Sequence, residues 1–392
     1  MRATRAIVDL DVIAGNVAAL RKLAPPQTRF LAVVKADAYG HGAPQVAATA
    51  LEAGASVLGV ATVSEGMILR RCGISSPILV LSSIDPSDVR PAISAGLEIT
   101  VAEPDLLEAI EREAGSWHEP IALHVKIDTG LRRYGAMPET VVHLARRIDG
   151  HAHLRLAGIS THFASSDEPD EPFTSKQYAI FQRVVAALAS DGIVPGCLHV
   201  SNSAAMITGV GVEQGMVRAG IALYGMPPSE EVSLPAGVHP AMRIESRVAR
   251  ITPLEPGDTV GYNRKWSAER PMHGVLVPIG YADGYRRGLF GRAWAGIQGQ
   301  RASLLGRVSM DQTVFAVPSG TSVQVGDPIH IMGRPEDGAP TATDMAEMLD
   351  TNTYEILVGI RARIPRVYMR GGEIVAEKCV ETPPWEAGST GL

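Results

Sequence analysis

Four residues with reactive or hydrogen-bonding side chains stand close together in the segment AVVKADAYGHG: Lys35, Asp37, Tyr39 and His41. The segment follows an apolar run and precedes a helical pattern, which predicts a turn between a strand and a helix. Burial at such a position lowers the pKa of a lysine, and an uncharged amine can form a Schiff base with an aldehyde. The alternative is an ordinary surface lysine that leaves a strand.

Further polar residues stand at or near the ends of other apolar runs. They are Lys126, His162, Ser203 and Arg218. In a (β/α)8 barrel, the carboxyl ends of the strands together form the face that carries chemistry. The recurrence therefore predicts that these residues share one site with Lys35, provided that the chain forms such a barrel.

Eight apolar runs support a barrel. They cover residues 30–36, 56–62, 77–83, 97–103, 121–127, 154–161, 197–203 and 216–225. Most are separated by one amphipathic helical stretch, and several of these stretches end on glycine. Apolar strands that alternate with single helices are typical of parallel strands covered on both faces. We therefore predict an α/β fold, a (β/α)8 TIM barrel over residues 1–240.

The pattern changes after Pro240, where strand-like runs follow one another with little helix between them. This predicts a second, mostly β domain over residues 241–380. The first ~10 residues are strand-like and are a candidate addition to that domain. Residues 381–392 are expected to be a loose tail.

Composition narrows the classes of function. The chain has 392 residues and a formal net charge of −6, without a basic block or stripe, so neither nucleic acid nor an anionic membrane is an expected partner. No apolar run approaches the ~20 residues that span a bilayer, and the N-terminus lacks a signal-peptide pattern, so we expect a cytoplasmic protein. Cys72, Cys197 and Cys379 lack metal-binding spacing and are expected to be buried thiols in a reducing compartment. No metal site is predicted.

A series of motifs resembles the bacterial, pyridoxal-phosphate-dependent alanine racemases from about residue 5 to about residue 370. In order they are AVVKADAYGHG, HVKIDTGLRRYG, GISTHFASSD, HVSNSAA, MVRAGIALYG, VGYNRKW, PIGYADGYRRG and GRVSMDQT. The family's fold is a (β/α)8 barrel followed by a β domain. The resemblance implies a racemase that interconverts L-alanine and D-alanine and supplies D-alanine for peptidoglycan.

The resemblance also implies how the reaction is divided among residues. Lys35 holds pyridoxal 5'-phosphate and acts as the base on one face of the substrate, and Tyr262 is the base on the other face. His162, backed by Arg218, favours the phenolate of Tyr262. Arg218 faces the pyridine nitrogen of the cofactor and, because arginine keeps its proton, leaves that nitrogen unprotonated.

The cofactor phosphate would be held, by the same resemblance, by Tyr39, Ser203 and the backbone amides around Gly220 and Ile221. Hydroxyls and free amides at a strand-to-helix junction suit a phosphate. Some family members place a further tyrosine where this chain has Ala362. The chain therefore replaces that hydroxyl or holds the phosphate with fewer contacts.

Substrate binding would fall on Arg133, on Met310 and on Tyr281 at the entry to the substrate channel. Arginine donates to both oxygens of a carboxylate. Lys126 occupies a position that several family members carry as an N-carbamylated lysine. The alternative is an ordinary lysine paired with Asp128.

Tyr262, Tyr281 and Met310 lie in the second domain, and in the family they reach the site from the partner subunit. A homodimer with shared active sites is therefore expected. Asp311 matches a residue near that interface, whereas Tyr354 is interpreted as a packing residue.

Other functions remain open at this point. A racemase of broader or serine-type specificity fits, because a methyl pocket rejects an added hydroxyl by only about a hundredfold. A pyridoxal-phosphate decarboxylase of the same fold would place an acidic residue where Arg218 stands. A non-catalytic carrier of the cofactor would end after the barrel.

Overall fold

The computed structural model describes residues 2–378, in which α-helices and β-strands alternate over the first 220 residues. The described strands are β1 Arg5–Asp9, β2 Arg29–Val33, β3 Val57–Val60, β4 Ile78–Val80, β5 Glu98–Val101, β6 Ile121–Lys126, β7 Leu154–Ser160, β8 Leu198–His199, β9 Met216–Ala219, β10 Met242–Arg247, β11 Arg250–Leu254, β12 Met272–Val277, β13 Trp294–Ile297, β14 Gln300–Leu305, β15 Thr313–Ala316, β16 Pro328–Met332, β17 Arg366–Arg370 and β18 Glu373–Lys378.

Most of the described helices are short, from 5 to 12 residues, and one reaches 18 residues. They are α1 Leu10–Arg21, α2 Ala43–Glu52, α3 Val63–Arg71, α4 Val89–Ser94, α5 Pro104–Ala114, α6 Pro138–Asp149, α7 Phe173–Ser190, α8 Ser203–Ile207, α9 Ala342–Leu349 and α10 Thr353–Gly359. Short 3-10 turns include Ile221–Tyr224, Tyr262–Arg264 and Tyr281–Asp283. Across residues 2–378, each helix is too short or too polar to cross a lipid bilayer.

The chain forms two compact units. Unit 1 comprises residues 2–11, 40–42 and 241–378 of the described chain, and unit 2 comprises residues 12–39 and 43–240. The expected loose tail, residues 381–392, lies outside the described residues, as does Cys379.

Unit 2 is built on a parallel sheet that contains, among the described residues, eight strands in the order β8-β7-β6-β5-β4-β3-β2-β9. Strand β3 shows why the strands read as apolar runs, because all four of its residues are buried. The helices bury one stripe each: in α6 the buried residues Val141, Leu144, Ala145 and Ile148 follow the spacing of one helix face.

The two end strands of this order meet through a hydrogen bond. The backbone amide of Arg218, in β9, donates to the carbonyl oxygen of Ser201, just after β8, at 3.0 Å. On its other side β9 pairs with β2, where Arg218 lies opposite Leu31. The sheet therefore surrounds a closed core, and the prediction of a TIM barrel followed by a mostly β domain is confirmed.

Unit 1 contains a sheet of ten described strands in the order β11-β12-β15-β14-β13-β16-β10-β1-β17-β18. Strand β1 pairs antiparallel with β10 and parallel with β17, so the start of the chain lies inside this sheet. The sequence did not predict helices α9 and α10 in this region. A signal was present, since Thr341 and Asp344 form a capping box at the start of α9.

Residues 40–42 belong to unit 1 because Arg366 holds them there. Its buried guanidinium donates to the carbonyl oxygen of Gly40 at 2.9 Å and to those of Ile360, Arg361 and Ile364 at 2.6–2.7 Å. Arginine suits this position because its donors point in several fixed directions at once. The segment directly after Tyr39 is therefore anchored at Gly40.

One expectation about the cysteines is wrong. Cys197 is buried, but Cys72 is exposed, because it follows the last residue of α3 on the outside of the unit. The sequence does not indicate whether a single cysteine in an amphipathic stretch lies on the buried or on the exposed face.

Candidate active site

Lys35 opens a turn of unusual hand. Strand β2 ends at Val33, slightly before the position that the sequence suggested, and residues Ala36 to Tyr39 all have φ between 51° and 56°. The left-handed region costs a residue other than glycine roughly 1–2 kcal/mol. Other contacts must hold the turn, since Gly40 is its first glycine.

Glu65 holds the start of this turn, and Asp37 holds its end. The Oε1 atom of Glu65 accepts a hydrogen bond from the Ala36 amide at 2.7 Å. Its Oε2 atom accepts from the Ala61 and Thr62 amides at 2.8 and 3.2 Å, where it also caps helix α3. Asp37 accepts a hydrogen bond from the Ala43 amide at 2.8 Å, so it caps the turn.

Glu65 is a site residue that the sequence analysis missed. The spacing of Thr62 and Glu65 is that of a helix capping box, which the structure contains. Its bond to the turn after Lys35 joins residues 29 positions apart. No local pattern indicates such a contact.

Lys35, Lys126 and Arg133 make the site electropositive. Burial lowers the pKa of Lys35, the charge of Arg133 lowers it further, and Glu65 partly opposes both. For Lys126, burial and then the charges of Arg218, Arg133 and Lys35 lower the pKa to about 8. Such a concentration of positive charge suits an anionic ligand.

The structure separates Arg133 from its neighbour Arg132. The Arg132 guanidinium donates to the sulfur of Met137 at 3.0 Å, and its backbone amide donates to Asp128. Arg133, in contrast, acts on the pKa of Lys35, of Lys126 and of His162. Arg133 is therefore the arginine of this pair whose charge reaches the lysines.

Arg218 lies at the centre of the barrel and is only 6% exposed. Its Nη2 atom donates to the carbonyl oxygens of Thr161 and Val200, both at 2.9 Å, and to Nδ1 of His162 at 3.3 Å. Its Nη1 atom donates to Nδ1 of His199 at 3.1 Å. Burial lowers the pKa of Arg218 to about 10, so the guanidinium stays charged at neutral pH.

The contact with Arg218 fixes the proton on His162. Since arginine can only donate, Nδ1 of His162 is an acceptor and the ring proton lies on Nε2. Burial and then the charge of Arg218 lower the pKa of His162 well below its ordinary value. His162 is therefore a neutral imidazole with one N–H donor left for another partner.

Tyr39, Ser203 and Gly220 converge at one place on unit 2. The Ser203 hydroxyl, at the start of α8, accepts hydrogen bonds from the amides of Gly220 and Ala222 at 2.9 and 3.3 Å. A Cβ atom on Gly220 would lie 3.1 Å from the Tyr39 hydroxyl and 3.6 Å from the Ser203 hydroxyl. Because Gly220 has no side chain, a small space remains beside it, bordered by these two hydroxyls and by the backbone amide of Ile221.

Tyr262, Tyr281 and Met310 all belong to unit 1. The loop that contains Met310 contacts both the turn of Tyr281 and the turn of Tyr262. The amides of Tyr281 and Ala282 donate to the carbonyl oxygens of Ser309 and Met310 at 3.0 and 2.9 Å. The same loop approaches the turn that carries Tyr262, because a Cβ on Gly306 would lie 2.3 Å from the Val260 carbonyl oxygen.

The side chains of these three residues extend outwards in the single chain. Tyr262 is 65% exposed, Met310 53% and Tyr281 38%. Asp311, the next residue along the loop, accepts a hydrogen bond from Arg363 at 2.8 Å. Ala362 is exposed, and Tyr354 lies in helix α10.

Comparison with known proteins identifies relatives along the whole chain. The family model for the alanine racemase N-terminal domain matches residues 8–228, and the model for the C-terminal domain matches residues 241–368. An alanine racemase of Symbiobacterium thermophilum is 40% identical over 373 residues, 95% of this chain and 98% of that protein. One of Geobacillus kaustophilus is 40% identical over 374 residues, with coverages of 94% and 95%.

Solved structures give the same result. An alanine racemase of Clostridium difficile 630 superposes with a TM-score of 0.92 at 34% identity, covering 97% of this chain and 99% of that chain. The alanine racemase from Bacillus anthracis with bound L-Ala-P superposes with a TM-score of 0.91 at 35% identity, with coverages of 97% and 98%.

The pKa of Lys126 predicts how Lys126→Met changes stability with pH. A pKa lowered from 10.5 to about 8 means that the folded protein holds the charged amine at a cost on the order of 3 kcal/mol. The cost is fully present below the folded pKa and disappears as the pH rises towards the unfolded value. Lys126→Met should therefore be more stable than the parent protein near neutral pH, by an amount that shrinks above about pH 8.

Denaturant unfolding across this pH range measures the difference, in buffer freed of carbon dioxide because that gas reacts with uncharged amines. Lys176→Met, at an exposed position on α7, is the matched control and should differ from the parent by less than about 0.5 kcal/mol. If the difference in the free energy of unfolding between Lys126→Met and the parent grew with pH, it would contradict the lowered pKa of Lys126.

Proposed function

The chain belongs to the alanine racemase family and interconverts L-alanine and D-alanine, and on this premise we propose that Lys35 and Tyr262 are the two bases of the reaction and that pyridoxal phosphate is the cofactor. The observation that carries the proposal is the arrangement around Lys35, where a partly buried amine of lowered pKa shares its surroundings with Lys126 and Arg133. Cytoplasmic synthesis of D-alanine for peptidoglycan is the proposed biological role.

The residues on unit 2 fit pyridoxal phosphate at both ends. The lowered pKa of Lys35 favours the neutral amine that an aldehyde requires. The space beside Gly220, bordered by the hydroxyls of Tyr39 and Ser203, suits phosphate oxygens, with the Ile221 amide next to it. Ala362 supplies no hydroxyl, so these are the contacts proposed for the phosphate. When bound, the cofactor supplies a conjugated electron sink that stabilises negative charge on the substrate α-carbon.

Inversion at the α-carbon needs one proton acceptor and donor on each face. Lys35 is proposed to remove or return the proton on one face through Nζ. Tyr262 does the same on the other face through its phenol oxygen, which must ionise to act as a base. The N–H on Nε2 of His162 is a suitable donor to that phenolate, since Arg218 holds the other ring nitrogen.

Arg218 has a second proposed role towards the cofactor ring. With a pKa of about 10 it remains a donor at neutral pH and takes up no proton from its surroundings. When the cofactor is bound, an N–H of Arg218 would leave the pyridine nitrogen unprotonated and acting as a hydrogen-bond acceptor. The ring would then withdraw electrons moderately, which would suit proton transfer and disfavour side reactions.

The substrate carboxylate is proposed to bind Arg133, whose charge already reaches Lys35. Met310 contributes through its backbone, and Tyr281 borders the entry to the channel. A site closed by a cofactor ring and two tyrosines leaves room for a small side chain, and alanine fits it.

We also propose that the active form is a homodimer in which each barrel receives Tyr262, Tyr281 and Met310 from the partner subunit. Their exposure in the single chain supports this, because large apolar and aromatic side chains that reach outward together are typical of an interface.

Lys126 is proposed to carry an N-carbamyl group. Carbamylation requires an uncharged amine, which a pKa of about 8 makes available at neutral pH. It also replaces a cation by an anion among Lys35, Arg133 and Arg218, and so relieves their mutual repulsion.

The first test is chiral analysis of L-alanine incubated with protein supplied with pyridoxal phosphate. Lys35→Ala and Tyr262→Phe should each lose at least about 100-fold in D-alanine formation, since each removes one proton transfer. Tyr354→Phe, the same chemical change at a position interpreted as packing, should keep activity within about threefold. Activity retained by Tyr262→Phe would exclude it as a base.

Mixing the two inactive variants tests the shared site. If each site combines Lys35 of one chain with Tyr262 of the other, a heterodimer of Lys35→Ala and Tyr262→Phe contains one intact site. Unfolding and refolding the two together should then restore roughly a quarter of the parent activity per chain. No recovery, with heterodimers present by mass, would place both residues of a site on one chain.

Native mass spectrometry tests the carbamyl group. The parent protein prepared in bicarbonate should be heavier than Lys126→Met by the carbamyl increment less the small amount by which a methionine residue outweighs a lysine residue, and the increment should be lost after acid treatment. A mass without the increment in bicarbonate would show that Lys126 remains an unmodified amine.

A further inference from the structure

Behind Arg218, three more side chains form a chain of hydrogen bonds through the barrel interior. Nη1 of Arg218 contacts Nδ1 of His199 at 3.1 Å, and Nε2 of His199 contacts Nδ1 of His124 at 2.9 Å. Nε2 of His124 then contacts Oε2 of Glu98, also at 2.9 Å. Strands β9, β8, β6 and β5 each contribute one of the four residues.

The two ends of this chain determine the direction of every bond in it. Arginine can only donate, so His199 accepts on Nδ1 and carries its proton on Nε2. That proton is donated to Nδ1 of His124, which must therefore carry its own proton on Nε2 and donate to Glu98. The opposite direction would bring two N–H groups together where His199 meets Arg218.

Burial and charge agree with this direction. His124 and His199 are buried, and burial lowers the pKa of His199 well below its ordinary value. Burial raises the pKa of Glu98, but the contact with His124, followed by the charges of Arg29 and Arg155, outweighs it and lowers the pKa overall. The order of donors and acceptors therefore runs from a cation through two imidazoles to a carboxylate.

A glycine on strand β7 makes room for this arrangement. A Cβ atom on Gly158 would lie 2.4 Å from Nδ1 of His124 and 2.8 Å from its Cε1 atom. Strands β6 and β7 place Gly158 directly opposite His124. Any larger residue at position 158 would displace the ring nitrogen that meets His199.

We propose that Glu98 and His124 are positioning residues for Arg218: acting through His199, they fix the orientation of its guanidinium. The inference rests on the role proposed above for Arg218 in the reaction. Glu98 is also the carboxylate that this chain of bonds connects to the buried guanidinium. None of the three residues behind Arg218 needs to touch substrate.

The protonation pattern is tested on the purified holoenzyme labelled with ¹⁵N-histidine, without substrate. Two-bond ¹H–¹⁵N spectra report which ring nitrogen carries the proton, and His124→Asn and His199→Asn assign the two signals among the 11 histidines. Both rings should be neutral and protonated on Nε2 at neutral pH. A proton on Nδ1 of either ring, or a doubly protonated ring, would overturn the inference.

Kinetics of two Glu98 variants separate positioning from general support of the fold. In Glu98→Gln the amide oxygen still accepts from His124, so kcat should stay within about threefold. Glu98→Leu removes the acceptor and should lower kcat by roughly tenfold or more while KM changes less than about threefold, because misplacing Arg218 affects the reacting ring and leaves substrate recognition intact. Equal kcat values for the two variants would contradict the proposal.

Gly158→Ala is an independent test that removes no polar group. It should lower kcat as Glu98→Leu does and change the Nδ1 signal of His124. Gly115→Ala is the matched control, since a Cβ there meets nothing within 4 Å, and it should keep kcat within about twofold. If Glu98→Leu does not fold, the spectrum of the parent protein and the kinetics of Gly158→Ala still test the proposed positioning of Arg218. If the parent protein fails to racemise alanine, the proposed function fails while the ring-proton test remains valid.

Discussion

The structure of the barrel depends on one buried cation. Arg218 is almost fully enclosed, and among the ion pairs of residues 2–378 none includes it. Holding an unpaired charge in a protein interior is costly unless its donors are all engaged. Here two backbone carbonyls and two imidazoles accept hydrogen bonds from the two terminal nitrogens of the guanidinium, which offsets part of this cost, and the backbone of the same residue joins the two end strands of the sheet. Arg218 therefore joins the two end strands through its backbone and carries a buried positive charge in its side chain.

Positive charge around this centre has opposite effects on stability and on chemistry. Each added cation lowers the pKa of Lys35 and Lys126 and so costs folding free energy while the site has no ligand. The same repulsion favours the uncharged, nucleophilic form of both amines and favours an anionic ligand. Active sites commonly trade stability for function in this way.

Sequence patterns were sufficient for the barrel, because buried parallel strands and single amphipathic helices leave strong periodic signals. The strand ends and the order of the motifs also predicted one shared site for Lys35, His162 and Arg218. They could not show that Ala36 to Tyr39 are left-handed, since alanine and tyrosine have no preference for that region. The hydrogen-bonded chain from Arg218 to Glu98 could not be predicted either: its contact between the two imidazoles joins residues 75 positions apart, and Glu98 begins a short strand whose other three residues are all buried.

The left-handed turn after Lys35 has a consequence for the order of events when the protein is made. An unfolded chain rarely visits that conformation at four successive residues, so the turn depends on the carboxylate of Glu65. During synthesis the ribosome must first release the second strand of the barrel and the start of its helix. The anchor at Gly40 arrives much later, because Arg366 lies near the end of the chain. The turn after Lys35 is therefore held by one contact whose residues are made early, from Glu65, and is followed by an anchor at Gly40 that can form only when translation is nearly complete.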